Sequence, residues 1–143
     1  MALEYYLEED GCLTRVFVIM EGAHDVWANL GSDAILLFDA KHGTSRYAHK
    51  LGCFCTAGNN GKTRVIAGVF LAHEDEESFV WAFECFNEYF SAPKIIFADQ
   101  DPGMAAAIKK AWVNIAHLLC TFHIWKNFYK WIRPLFSGEP SSD

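Results

Sequence analysis

KIIFADQDPGMAAAI, residues 94–108, carries the pattern from which the fold follows. Lys94–Ala98 is a short apolar strand, Asp99 ends it, and Asp101-Pro102 opens a helix with Asp101 as N-cap and Pro102 at the first helical position. The same grammar recurs on both sides. Upstream, AILLF (34–38) is an apolar run ending in Asp39, and LGCFCTA (51–57) is a second. TRVIAGVFLA (63–72) follows after Gly58-Asn59-Asn60-Gly61, whose Asn-Gly pair tolerates positive φ and predicts an antiparallel hairpin. HEDEES (73–78) suits the positive end of a helix dipole, and Phe79, Phe83, Phe86 and Phe90 recur at helical spacing, so a helix is expected from Glu76 to Phe90. Downstream, HLLC (117–120) is another apolar strand, and Thr121 caps a last helix, FHIWKNFYKWI, that stops at Pro134.

The order of strand, strand, strand, helix, strand, helix, strand, helix describes an α/β mixed sheet with flanking helices. Its unbroken apolar strands predict burial on both faces. Leu13–Met20 (LTRVFVIM) reads as a further strand with no partner specified. Residues 1–33 therefore stand as a lead-in segment, 34–133 as the core, and 134–143 (PLFSGEPSSD) as a disordered tail.

Composition bounds what such a domain does. With 143 residues, 52% of them hydrophobic and 21% charged, the chain holds one core and is not intrinsically disordered. It has no run of 18 apolar residues, and its first ten residues are acidic, unlike a signal peptide; the expectation is an unsecreted nuclear or cytoplasmic protein without a membrane span. Five cysteines, an odd number spread through apolar segments, read as reduced, buried thiols. The net charge of −6 argues against strong DNA affinity over the whole surface. Its distribution is uneven: within residues 1–33 Arg15 alone faces Glu4, Glu8, Glu9, Asp10, Glu21, Asp25 and Asp33, whereas residues 102–138 carry Lys109, Lys110, Lys126, Lys130 and Arg133 and no acid. Only the C-terminal third suits a polyanion.

Asp39 and Asp99 each end an apolar strand. If those strands are parallel neighbours, both carboxylates emerge at one sheet edge and carry enough negative charge for Mg²⁺ or Mn²⁺. Aspartate after a strand is also common turn chemistry, so spacing alone leaves both readings open. Asp101 is accounted for by capping, which leaves Asp99 as the preferred ligand. Cys120 and His123 are spaced to share one zinc ion, but a structural zinc site needs two more ligands, and core packing is the other reading. Trp112, Trp125, Phe128, Tyr129 and Trp131, interleaved with the lysines, suit stacking on bases or an aromatic stripe packed on the sheet.

Four ordered blocks, FDAKHGTSRYAHKL (38–51), GVFLAHEDEESFVWAFECF (68–86), KIIFADQDPGMAAAI (94–108) and HLLCTFHIWKN (117–127), resemble the MULE transposase domain. This is the catalytic domain of Mutator-like DNA transposases, shared with plant far-red-impaired-response regulators. The resemblance implies a ribonuclease H-like fold and a DDE nuclease and strand transferase, in which two aspartates and a glutamate hold Mg²⁺ or Mn²⁺ against DNA at transposon ends. It matches Asp39 to the first acid, Asp99 to the second, and Cys120 and His123 to the Cys-x-x-His signature that follows. Lys126, Lys130 and Arg133 are the expected DNA contacts. Two departures stand out. Lys41-His42 occupies the place of the family's usual Thr-Tyr, and the sequence is truncated before the final catalytic helix that bears the glutamate, Glu139 lying in the polar tail. The expectation is a partial catalytic domain, inactive alone and prone to self-association. The alternative is a domesticated DNA- or protein-binding module without catalysis.

Overall fold

The computed structural model describes residues 2–41, 49–57, 61–120, 129–130 and 132–133. Its strands are β1 (Leu3–Leu7), β2 (Leu13–Ile19), β3 (Ile35–Lys41), β4 (Lys50–Ala57), β5 (Thr63–Leu71), β6 (Ile95–Ala98) and β7 (Ala116–Leu119); its helices are α1 (Ala23–Leu30), α2 (Glu76–Tyr89) and α3 (Pro102–Ala111). One seven-stranded sheet runs in the order β1-β2-β5-β4-β3-β6-β7. Pairing is antiparallel from β1 across to β3 and parallel for β3–β6 and β6–β7. This is the mixed sheet with flanking helices that the sequence predicts.

The hairpin strands β4 and β5 pair antiparallel as expected. The described residues 2–33 of the segment set apart above as a lead-in are built into the same sheet and core. β2 pairs with β5 as well as β1, and Phe17, Ile19, Ala23 and Trp27 are buried. The last predicted helix and the tail fall largely outside the described residues.

An aromatic cluster joins the helices to the sheet. Phe38 of β3 and Phe54 of β4 lie side by side, ring centroids 4.7 Å apart, and Phe83 and Phe86 of α2 sit 5.2 Å from Phe38 and Phe54 respectively. Trp27 of α1 meets Phe86 edge-on at 5.2 Å, and Trp112, after α3, meets Phe83 at 5.2 Å. All three described helices thus gather on one sheet face.

The expectation of strands buried on both faces is corrected accordingly. Leu36, Phe38, Ile96 and Ala98 are buried under the helices, whereas Ile35, Leu37, Ile95 and Phe97, which alternate with them, are partly exposed. Strand alternation turns these onto the opposite face, which no described helix covers. The cysteine expectation is corrected in part. None of the five cysteines is in a disulfide, but only Cys85 is buried; Cys12 is exposed and Cys53, Cys55 and Cys120 are half-buried. Burial pushes the Cys85 thiol up to about 12.

Two observations generate stability predictions. A Cβ added at Gly52 would lie 2.8 Å from both the Phe38 ring and Val69 Cγ1, whereas one at Gly68 meets nothing closer than 3.9 Å. Gly52→Ala is expected to lower unfolding free energy by about 1–3 kcal/mol, and Gly68→Ala to be near neutral, as read from urea midpoints. The second concerns Asp75, which caps α2 by accepting the Ser78 N–H at 2.8 Å. Hydrogen bonding from the Ser78 side chain, reinforced by this N–H, holds its carboxyl below the ordinary carboxylate range. A depressed folded pKa contributes stability above the unfolded value that is lost as pH falls through the folded one. Asp75→Ala should therefore destabilise at neutral pH and show a shallower loss of stability on acidification.

Candidate metal and phosphodiester site

The parallel pairing of β3 with β6 aligns Ile35 with Ile95, Leu36 with Ile96 and Leu37 with Phe97. The same register carried two residues further sets Asp39 beside Asp99, on strands about 4.8 Å apart. β7 continues the row. Ala98 aligns with Leu119, and the Cys120 N–H donates to the Ala98 carbonyl at 3.1 Å, so Cys120 falls next to Asp99. Three of the residues singled out from sequence therefore occupy neighbouring positions at the carboxyl edge of the parallel strands. His123 and Lys126 lie outside the described residues, while Lys130 and Arg133 are exposed.

Asp39 is half-buried and pairs across β3–β4 with Cys53. Asp99, also half-buried, accepts the N–H of Gln100 on Oδ1 at 2.7 Å, which orients its carboxylate just past the strand end. Asp101 performs the capping role read from the sequence: its Oδ1 accepts the Met104 N–H at 2.9 Å. Gly103 permits this tight start, since a Cβ there would lie 3.2 Å from Asp101 Oδ1 and 3.3 Å from the Glu76 nitrogen.

A cleft of ≈ 90 Å³ opens at this edge, lined by Ala40, Glu74, Phe79, Asp99, Asp101 and Met104. Glu74 forms an ion pair with Lys50 at 2.6 Å, both side chains about three-quarters buried. Sequence reasoning missed Lys50 and Glu74. The available signal is the acid-rich run 73–78, which reads as helix-dipole chemistry, and nothing local to Lys50 announces its pairing with Leu71 at the end of β5.

The donor set suits a hard divalent cation. Mg²⁺ is typically held by one or two carboxylates and keeps several waters, which two aspartates in adjacent register can satisfy. Among the described residues no group of three or more His, Cys, Asp or Glu side chains converges to hold a metal, so neither a third acid nor a closed zinc set accompanies Asp39, Asp99 and Cys120 there. Trp112 is no base-stacking platform: it is buried, and its indole N–H donates to Asn87 Oδ1 at 2.6 Å.

The MULE transposase domain model matches residues 35–127, spanning β3 through β7 and the edge just described. The chain belongs to this family. A relative, Protein FAR1-RELATED SEQUENCE 5 of Arabidopsis thaliana, is 29% identical over 106 residues. The match covers 73% of this chain and 14% of the relative's length. Among solved structures, the HTLV-2 integrase catalytic core domain in complex with magnesium, in its trimeric form, aligns with a TM-score of 0.46 at 15% identity over 76% of each chain. An intasome of simian T-cell lymphotropic virus in complex with PP2A regulatory subunit B56 gamma aligns with a TM-score of 0.46 at 11% identity, covering 78% of this chain and 44% of that one. The MULE chain is thus a transposase-related domain, and no described helix is long and apolar enough to cross a membrane.

Capping and candidate ligation separate by mutation. Asp101→Ala removes the α3 cap and should cost about 1 kcal/mol of stability. Asp99→Ala removes only a bond to the adjacent N–H and should shift the urea midpoint by clearly less.

Proposed function

We propose that this chain carries the two-aspartate half of a DDE-type site, with Asp39 and Asp99 as ligands for Mg²⁺ or Mn²⁺ and DNA phosphodiesters as substrate. The observation that supports it is the shared β3–β6 register, which brings to one edge two carboxylates lying 60 residues apart in sequence. A bound divalent ion there would polarise a phosphoryl group and activate a hydroxyl or water as nucleophile. The chain's own residues supply the setting. Asp99 is steadied by the Gln100 N–H, Asp39 is fixed by its place inside β3, and Lys50, gripped by Glu74, keeps a cation close to the acidic cleft. Lys130 and Arg133, both exposed, are assigned to the phosphate backbone on either side of the reacting bond. In this reading the third acid comes from outside the described residues or from a longer product, and strand transfer requires it.

The second reading is a domesticated module that binds DNA or protein without chemistry. It is favoured by the kinship with FAR1-RELATED SEQUENCE 5 and by Lys41-His42 in place of Thr-Tyr after Asp39. The first reading implies work on DNA.

Calorimetric titration of Mn²⁺ separates them. Under the first, Asp39→Asn and Asp99→Asn should each weaken binding by about tenfold or more, equivalent to about 1.4 kcal/mol; identical isotherms for parent and variants would reject the metal assignment. Under the second, duplex affinity persists in both variants, while Lys130→Ala and Arg133→Ala each weaken it and lower its salt slope by about one.

A further inference from the structure

β1 ends the sheet, and among the described residues nothing pairs with its outer edge. The hydrogen bonding identifies which of its residues face outward. The Ile19 N–H donates to the Ala2 carbonyl, and the Glu8 N–H donates to the Cys12 carbonyl, so the even-numbered residues of this strand spend their backbone groups on β2. Antiparallel alternation then turns the N–H and C=O groups of Leu3, Tyr5 and Leu7 away from the molecule. Their side chains share one face and are 57%, 60% and 49% exposed. That face continues inward through Val16 and Val18 to Phe70, their register partners on β1, β2 and β5. Lysine and proline, which usually blunt an edge, are missing from LEYYL. Its one charged residue, Glu4, is occupied by the Tyr89 hydroxyl on the helix-covered face.

We infer that β1 is an association edge for a second copy of this chain, joined antiparallel about a two-fold axis through Tyr5. The segment is self-complementary in that register and in no neighbouring one. Leu3 meets Leu7 of the second copy, Tyr5 meets Tyr5, and each outward-facing residue exchanges both its backbone bonds with its opposite number. On the other face Glu4 meets Tyr6, above which Arg15 stacks with its guanidinium carbon 4.4 Å from the ring centre. Arg15 lies mostly buried and pairs with Glu77 at 3.2 Å, while its Nε has no hydrogen-bond partner. Polar and charged groups thus match on one face and apolar groups on the other, as an isologous contact requires. A one-residue slip would set outward backbone groups against inward ones and Glu4 against Tyr5. The inference is independent of the metal assignment, since β1 and the Asp39–Asp99 pair stand at separate parts of the sheet.

Sedimentation velocity across a range of protein concentrations tests it, with circular dichroism confirming that each variant folds. The parent should move from monomer to dimer as concentration rises. Tyr5→Pro deletes an outward N–H that serves no intramolecular pairing and should weaken the dimer at least tenfold. Leu3→Lys combined with Leu7→Lys should abolish it through like charges placed opposite one another, whereas Leu3→Lys combined with Leu7→Glu should restore it, because lysine then faces glutamate in both halves. Leu118→Lys, at the opposite sheet edge, should leave the dimer intact. A parent that stays monomeric throughout, a dimer indifferent to Tyr5→Pro, or a failure of the charge-reversed pair to recover association would each overturn the inference.

Discussion

The packing of Phe38 is the constraint on which both the core and the candidate site depend. Its ring is enclosed by Phe54, Phe79 and Phe83, and its far edge closes over Gly52, where no Cβ would fit. Because strand side chains alternate, burying Phe38 under α2 turns Asp39 onto the opposite face. A one-residue slip of β3 would drive the carboxylate into the aromatic cluster, at the cost of desolvating a charge. Hydrophobic packing, rather than any polar contact, therefore sets where the first acid stands.

The second acid is positioned by helix initiation. α2 and α3 begin side by side, as the close approach expected between Gly103 and the Glu76 nitrogen shows, and each start is closed by an aspartate cap. Their positive ends converge on the edge that also holds Glu74 and Asp99. Crowded carboxylates at one place repel, and the two helix termini together with the Lys50 ammonium offset part of that repulsion. The same arrangement explains why Asp101 and Asp99, two residues apart, do different work. Asp101 is turned back onto the Met104 N–H, and Asp99 remains at the strand edge.

The sheet is lopsided in a way that bears on assembly. α1, α2 and α3 gather on one side, leaving Ile35, Val65, Phe70 and Leu118 between 37% and 48% exposed. At the β1 end this apolar surface runs out to a strand edge that no described residue pairs with, a combination that favours pairing with another chain. The association edge and the acidic edge are thus products of one sheet, yet separated across it.

Much of this was legible in the linear sequence. The α2 helix at Glu76–Tyr89, the Asp101 cap, the β4–β5 hairpin and the apolar strands ending in Asp39 and Asp99 all follow from periodicity, turn residues and capping chemistry, which act over a few residues. Family membership was equally legible, because it rests on ordered blocks of residues. The integration of residues 3–30 into the sheet was not, since strand pairing joins β2 to β5 across half a hundred residues and no local signal names a partner. Nor was the Lys50–Glu74 pair, which forms where the first residue of β4 is set against Leu71 at the end of β5, three residues before Glu74. The sequence by itself determined β2, the strands and helices from β3 onward, and which side chains have the chemistry to bind a cation. Only the tertiary structure decided which of them become neighbours, because the parallel β3–β6 register and the one-sided helix layer are fixed by packing between segments distant along the chain.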